Sequence, residues 1–326
     1  MTVRIPLEHE PGLGTWAHFT RRPRVSTLLF AAVLAAVVVW GFATAGFFTV
    51  DNGKAILSSM AFVGIVAVGM TFIMISGALV SLSIGLTLAV SGMVFMALLH
   101  LGTVSAIILT CLFGVAVTAA QGALIAGFDA NPIVLTIAAG AIQTGIAFGI
   151  TGGKQILASG QGYTVLRSTP GGIPMAVFVL LGVAVIAEVI MRRTGFGLQM
   201  RLLGTNRAAA FAAGLPLARI GAIAFGIAGL CAAIAGIMFS SLFGYANFNF
   251  EGTFSFDAIA ATLVGGVLVT GGQGAIWRTV SGAFIIAAVS DLMLLNNASD
   301  GLRVMVQGIL LTGVLLAVYV QSQKKA

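Results

Sequence analysis

Apolar residues gather into ten long stretches that take up most of the chain: residues 28–48, 55–77, 84–100, 101–127, 132–151, 172–191, 220–243, 256–271, 275–295 and 304–320. Each run is continuous rather than alternating. That pattern predicts helices and argues against a transmembrane β-barrel. A helix needs roughly 20 mostly apolar residues to cross a bilayer. The pattern therefore predicts an all-α, polytopic transmembrane bundle of about eight to ten spans, because the third and eighth stretches are short enough to be broken or re-entrant. One polar, arginine-rich segment from Met191 to Arg219 interrupts the series between the sixth and seventh stretches.

Composition agrees with the bilayer. Hydrophobic residues make up 59% of the chain and charged residues only 8%, against about 25% charged in an average soluble domain. The net charge of +7 follows from topology and does not call for nucleic acid. Arg4, Arg21, Arg22 and Arg24 precede the first stretch; Arg192, Arg193, Arg201, Arg207 and Arg219 surround the polar segment; Lys324 and Lys325 close the chain. With ten spans and a cytoplasmic N-terminus, all three groups lie on the cytoplasmic side, as the positive-inside rule expects. The expected organisation is a cytoplasmic N-terminal segment (1–27), a single transmembrane domain (28–320) with a cytoplasmic loop near 192–219, and a cytoplasmic tail (321–326). The first stretch reads as a permanent anchor, since no small-residue cleavage site follows a short apolar core.

Few residues carry chemistry. Gly152-Gly153-Lys154-Gln155 lacks the upstream glycine and the Ser/Thr of a phosphate-binding loop. His9, His18 and His100 are scattered without metal-ligand spacing, and Cys111 and Cys231 read as small buried hydrophobes. No nucleophile, base and orienter can be nominated, so the chain reads as a non-enzyme without a cofactor of its own. Small residues recur four apart in three rows: Gly114, Thr118, Gly122 and Ala126; Ala141, Gly145 and Gly149; Ala228, Ala232 and Gly236. Such rows let helix backbones approach closely and read as packing seams.

Polar residues inside a bilayer need a reason. Gln121, Thr136 and Gln143 can hydrogen-bond a hydroxylated solute without burying a full charge, or can join helices to one another. For Thr136 a bond to its own helix backbone is a further reading. Asp257 stands at a predicted helix start, where a carboxylate is stabilised by the helix dipole; capping and solute binding both stay open. Glu188 and Arg278 read as snorkelling near span ends, and Asp291 is expected to pair with Arg303. The segment around Asn247 and Asn249 mixes aromatics with amides, suiting either sugar contacts or an interfacial aromatic belt. In the polar segment, Gly204-Thr205-Asn206 can break one helix, with Asn206 capping the next at Arg207-Ala208.

Four blocks occur in order: Gly69-Met70-Thr71 through Ser76-Gly77 with Ser81-Leu82-Ser83-Ile84-Gly85; Asn131-Pro132-Ile133-Val134-Leu135-Thr136; Thr194-Gly195-Phe196-Gly197 with Leu203-Gly204-Thr205-Asn206-Arg207-Ala208-Ala209 and Ala213-Gly214-Leu215; and Phe256-Asp257-Ala258-Ile259-Ala260 with Gly271-Gly272-Gln273-Gly274. Over about residues 47–320 this resembles the permease subunits of ribose-type ATP-binding-cassette (ABC) sugar importers, of the branched-chain amino acid/ribose permease superfamily. The chain departs from that pattern near Ser81, where the usual acid is missing, and at Gln121-Gly122 and Gln143-Thr144-Gly145. These departures leave open a solute other than ribose.

The resemblance implies an inner-membrane permease that works with a P-loop ATPase carrying ATP and Mg, an extracytoplasmic solute-binding protein and a second permease subunit. It implies that Arg201, Gly204, Thr205, Asn206, Arg207, Ala208 and Gly214 form the coupling region against the ATPase. A solvated positive-inside loop is the alternative. An ion-coupled secondary carrier is the rival function, and the sparse intramembrane charges count against it.

Overall fold

The computed structural model describes residues 25–160 and 162–323. Arg4, Arg21, Arg22, Arg24, Lys324, Lys325, His9 and His18 lie outside the described residues, as do nearly all of the N-terminal segment and half of the tail. The chain runs through α1 (Val25–Ala43), α2 (Val50–Ile75), α3 (Ile84–Leu98), α4 (Thr103–Phe128), α5 (Pro132–Thr151), α6 (Met175–Arg193), α7 (Gly195–Thr205), α8 (Arg207–Ala212), α9 (Leu217–Phe243), α10 (Phe254–Val264), α11 (Ile276–Leu295) and α12 (Asp300–Gln323). The all-α expectation holds apart from one antiparallel pair of two-residue strands, β1 (Ile156–Leu157) and β2 (Tyr245–Ala246), with Ile156 opposite Ala246.

Among the described residues, seven helices are long and apolar enough to cross a membrane: α2, α3 with its following turn, α4, α5, α6, α9 and α11. These seven account for part of the eight to ten passes expected. Only Leu34–Ala43 of α1 counts as an apolar helix among the described residues. Helix α10 has 11 residues, about 16 Å at 1.5 Å per residue, roughly half of a 30 Å hydrocarbon core.

The centre of the bundle is α2 and α9. Residues Ala61–Ile75 of α2 are all buried, so α2 is apolar all round because helices surround it. Two of the three small-residue rows are seams. On α4, a side chain at Gly122 would strike the Gly221 carbonyl and one at Gly114 would strike the Gly229 carbonyl, both on α9. Further along α9, Gly236 lies against the backbone of α3 at Leu88 and Gly92, and Ala228 lies 2.9 Å from the site of a side chain at Gly69 of α2. The third row is not a seam within this chain: Ala141, Gly145 and Gly149 are exposed on α5, and no atom lies within 4 Å of where a side chain would stand at either glycine.

Two passes are interrupted, and the same device stops the helix in both. At the end of α2, Gly77 (φ +84°) donates to Met74 O and Ala78 donates to Ile73 O. At the end of α10, Gly266 (φ +80°) donates to Leu263 O and Val267 donates to Thr262 O. These are Schellman closures, which need a left-handed residue that glycine adopts without strain. After each closure the chain continues without helix, over 78–83 and over 267–275.

Candidate functional site

The first interrupted segment and the start of α3 are held by four side chains from three helices. Ser83 Oγ donates to Gln121 Oε1 of α4 at 2.8 Å, and Thr87 Oγ1 donates to Gln143 Oε1 of α5 at 3.1 Å. The Leu82 amide donates to Thr136 Oγ1 at 3.2 Å, and the Gly85 amide donates to Ser255 Oγ of α10 at 2.9 Å. Backbone groups freed where a helix unwinds must find partners when they lie away from water; here Thr136 and Ser255 supply them. Thr136 also donates to Ile133 O at 3.2 Å, so it bonds its own helix as well as the neighbouring segment. Thus Gln121, Thr136 and Gln143, far apart in sequence, meet around one stretch of chain. The Nε2 atoms of Gln121 and Gln143 are buried without a hydrogen-bond partner among the described residues.

The polar segment forms α7 and α8, broken at Asn206 as expected. Asn206 Oδ1 accepts from the Ala209 amide at 2.9 Å and caps α8. Gly214 (φ +74°) closes α8 by donating to Phe211 O. Arg207 reaches back to the end of α4: its Nη2 donates to Ala126 O at 2.7 Å and its Nε lies 3.0 Å from Asp129 Oδ1. A guanidinium thereby satisfies a free carbonyl at the C-terminal end of α4. Arg201 Nη2 donates to Gly274 O at 3.3 Å, and Thr205 Oγ1 donates to Arg201 O at 2.8 Å. Ala208 is exposed, as are Leu198, Leu202 and Phe211. The outward side of α7–α8 is therefore apolar.

Gly204 sits at a crossing of three backbones. A side chain there would collide with the Ile75 carbonyl and would come 2.6 Å from the Gly272 nitrogen. One at Gly77 would meet the Gly204 Cα at 3.1 Å, and one at Gly271 would meet the Gly204 oxygen at 2.7 Å. The Gly272 amide donates to Ile75 O at 2.9 Å. Helix α7 thus touches, main chain to main chain, both the exit of α2 and the return after α10. Sequence reasoning marked Gly204 but missed its partners Gly77, Gly271 and Gly272; the Gly-Gly pair at 271–272 was the available signal.

A cavity of about 270 Å³ lies towards the far end of the bundle, between α2, α9, α10, α11 and α12. Ser59, Phe239, Phe243, Asn249, Thr253, Phe254, Asp257, Ser290 and Arg303 line it. Asp257 is in the first turn of α10 and is buried; its Oδ2 accepts from Thr253 Oγ1 at 2.6 Å. Asn249 faces this cavity, whereas Asn247 does not line it and keeps a buried Oδ1 without a partner among the described residues. Arg303 lines the cavity with Asp257, while Asp291, its expected partner, accepts from Asn52 Nδ2 at 2.7 Å. Phe250 is buried in a cluster of rings with Phe239, Phe243 and Tyr245, so it is not part of an exposed belt. Glu188 pairs with Arg192 at 2.5 Å near the end of α6.

A helical bundle with broken passes, polar side chains gathered at the breaks and a glycine junction under a surface helix pair is the architecture on which the family match falls. Residues 52–315 match the family model described as branched-chain amino acid transport system / permease component, and the chain belongs to that family. It is similar to the ribose import permease protein RbsC of Bacillus subtilis (strain 168), at 29% identity over 91% of this chain and 92% of that protein. It is equally similar to the L-arabinose ABC transporter permease protein AraH of Azospirillum brasilense, at 29% identity over 96% and 92%. The L-arabinose transport system permease protein AraH of Escherichia coli (strain K12) is 28% identical over 91% of each chain. No solved structure matches the chain. The protein is therefore a multi-pass permease of the cytoplasmic membrane, without ATPase activity or a cofactor of its own.

Proposed function

We propose that this chain is the membrane subunit of a binding-protein-dependent ABC importer that moves a ribose- or arabinose-like monosaccharide into the cytoplasm. ATP and Mg act on a separate P-loop ATPase, and an extracytoplasmic binding protein delivers the solute. In this reading residues 28–320 form one domain that makes ten passes. Helices α3 and α10, with their non-helical segments, are the third and eighth, and both termini are cytoplasmic. The apolar outward side of α7–α8 receives the ATPase, with Arg201, Gly204, Thr205, Asn206, Arg207, Ala208 and Gly214 as the coupling region. The observation that carries this is the glycine crossing: movement of α7 bears directly on both interrupted passes. The segment 78–83 then shifts among Gln121, Thr136 and Gln143, which belong to the solute path along with Asn247, Asn249 and Asp257. A second permease subunit completes the path.

Gentle detergent extraction and mass spectrometry of what co-purifies tests the class. A P-loop ATPase in near-equal amount is the expected result. A chain that purifies alone, yet moves sugar in vesicles without ATP, refutes the reading in favour of a secondary carrier.

A further inference from the structure

The cavity at the far end of the bundle has a composition that structural packing does not require. Asp257 is only 7% exposed, and one carboxyl oxygen is taken by Thr253. Gln307 also bonds the carboxyl group and Arg303 lies near it, yet Oδ1 itself is buried and makes no hydrogen bond among the described residues. A buried acceptor left unmade costs about 1–3 kcal/mol, so an orphan that lines a cavity points to a donor that arrives from outside. Around the same space stand hydroxyl and amide groups at Ser59, Asn249, Thr253 and Ser290, and the rings of Phe239, Phe243 and Phe254. Phe239 packs edge-on against Phe254, with ring centres 5.1 Å apart at 83°.

We propose that this cavity is a station in the permease itself for one neutral monosaccharide, with a sugar hydroxyl donating to Asp257 Oδ1. The inference rests on the importer reading and deepens it, since it gives this chain a share of solute recognition.

Three features favour a neutral sugar. The formal charges of Asp257 and Arg303 offset one another, so an ion gains little on entering. Several hydroxyl and amide groups around one space suit a ligand bearing a hydroxyl on nearly every carbon, because each is both donor and acceptor. Ring faces with negative π-clouds attract the C–H edge of a pyranose or furanose. An aliphatic amino acid, the other solute class suggested by the family description, would leave Ser59 and Asn249 unmatched, since of these groups only Thr253 and Ser290 have side-chain hydrogen bonds among the described residues. The station is also distant from the glycine crossing: Ser59 lies sixteen residues before Ile75 on α2, about 24 Å along the helix axis.

The test uses the assembled importer in membrane vesicles, with Cys111→Ala and Cys231→Ala as background and either Ser290→Cys or Ser59→Cys added. The rate of modification by a small, charged, membrane-impermeant thiol reagent is measured with D-ribose, L-arabinose, L-leucine or glycine betaine present. A sugar at three times its dissociation constant lowers the rate about fourfold. That protection is expected from ribose or arabinose, not from leucine or betaine, and is expected to vanish in Asp257→Asn while the sugar-free rate holds. Absence of labelling, equal rates with every solute, protection by leucine instead, or protection surviving Asp257→Asn would each overturn the station. Any of these beside intact ATP-driven sugar uptake leaves the importer reading standing; failure of an ATPase to co-purify sinks that reading whatever the cavity does.

Discussion

Replacing Gly204 by alanine adds one methyl group where three backbones meet. The methyl would collide with the Ile75 carbonyl and stand 2.6 Å from the Gly272 nitrogen. Neither neighbour is the free end of a flexible side chain, so relief requires the strands to part. Overpacking of this kind costs about 1–3 kcal/mol. Parting also weakens the Gly272–Ile75 hydrogen bond of 2.9 Å, worth about 1 kcal/mol net. The sum is about 2–4 kcal/mol, and at 1.4 kcal/mol per factor of ten the packed crossing loses ground by about thirtyfold to several hundredfold. The exposed side of α7–α8, with Leu198, Leu202 and Phe211, is untouched. The variant is therefore expected to insert, to retain its ATPase in pull-down, and to lose at least about tenfold of its ATP-driven uptake in proteoliposomes. Gly182→Ala is the control, because no atom lies within 4 Å of its added methyl. Wild-type uptake by the Gly204→Ala protein would refute the argument that the crossing transmits motion. Loss of the ATPase together with uptake would move the role of Gly204 from transmission to docking.

Other outcomes follow from the same geometry. Asn206→Ala removes the cap on α8 and should cost about 1 kcal/mol, read as faster amide exchange at Ala209 with α9 unchanged. Arg207→Ala should lower the melting temperature by a few degrees, from about 1 kcal/mol lost at the Ala126 carbonyl; a melting temperature equal to wild type would show that this bond contributes nothing. Gly122→Leu should abolish accumulation in the membrane, since its side chain has no room against Gly221, whereas Gly145→Leu should insert normally. A double-mutant cycle on Ser83→Ala and Gln121→Leu should give a coupling energy near 0.6 kcal/mol, and a value of zero would remove Gln121 from the bracing of the interrupted segment.

Much of this architecture is written in local pattern. Long apolar runs announce α2, α4 and α9 because the bilayer imposes both length and composition on a spanning helix. The cap at Asn206 is readable because it is a short-range bond between an amide side chain and the next turn. The shortness of α3 and α10 was visible too, since their apolar stretches are the short ones, 84–100 and 256–271. Other features depend on what meets across the bundle, and no local rule reports that. Nothing near Ser255 in sequence says that its hydroxyl will receive the amide of Gly85, and nothing near Asp257 indicates that Arg303 rather than Thr253 alone will share its cavity. The row Ala141, Gly145 and Gly149 carries the same signal as the α4 row, yet it faces outward; spacing tells that a helix can be approached closely, not by which neighbour.

The junction at Gly204 is built from main chain alone, and the cavity around Asp257 almost wholly from side chains. They share no residue and stand some two dozen ångströms apart along α2. Substitutions that reshape the cavity leave the junction as it was, and the junction tolerates almost no substitution of its own glycines. On the proposed reading, a protein divided in this way can retune its solute cavity without relearning how to be driven.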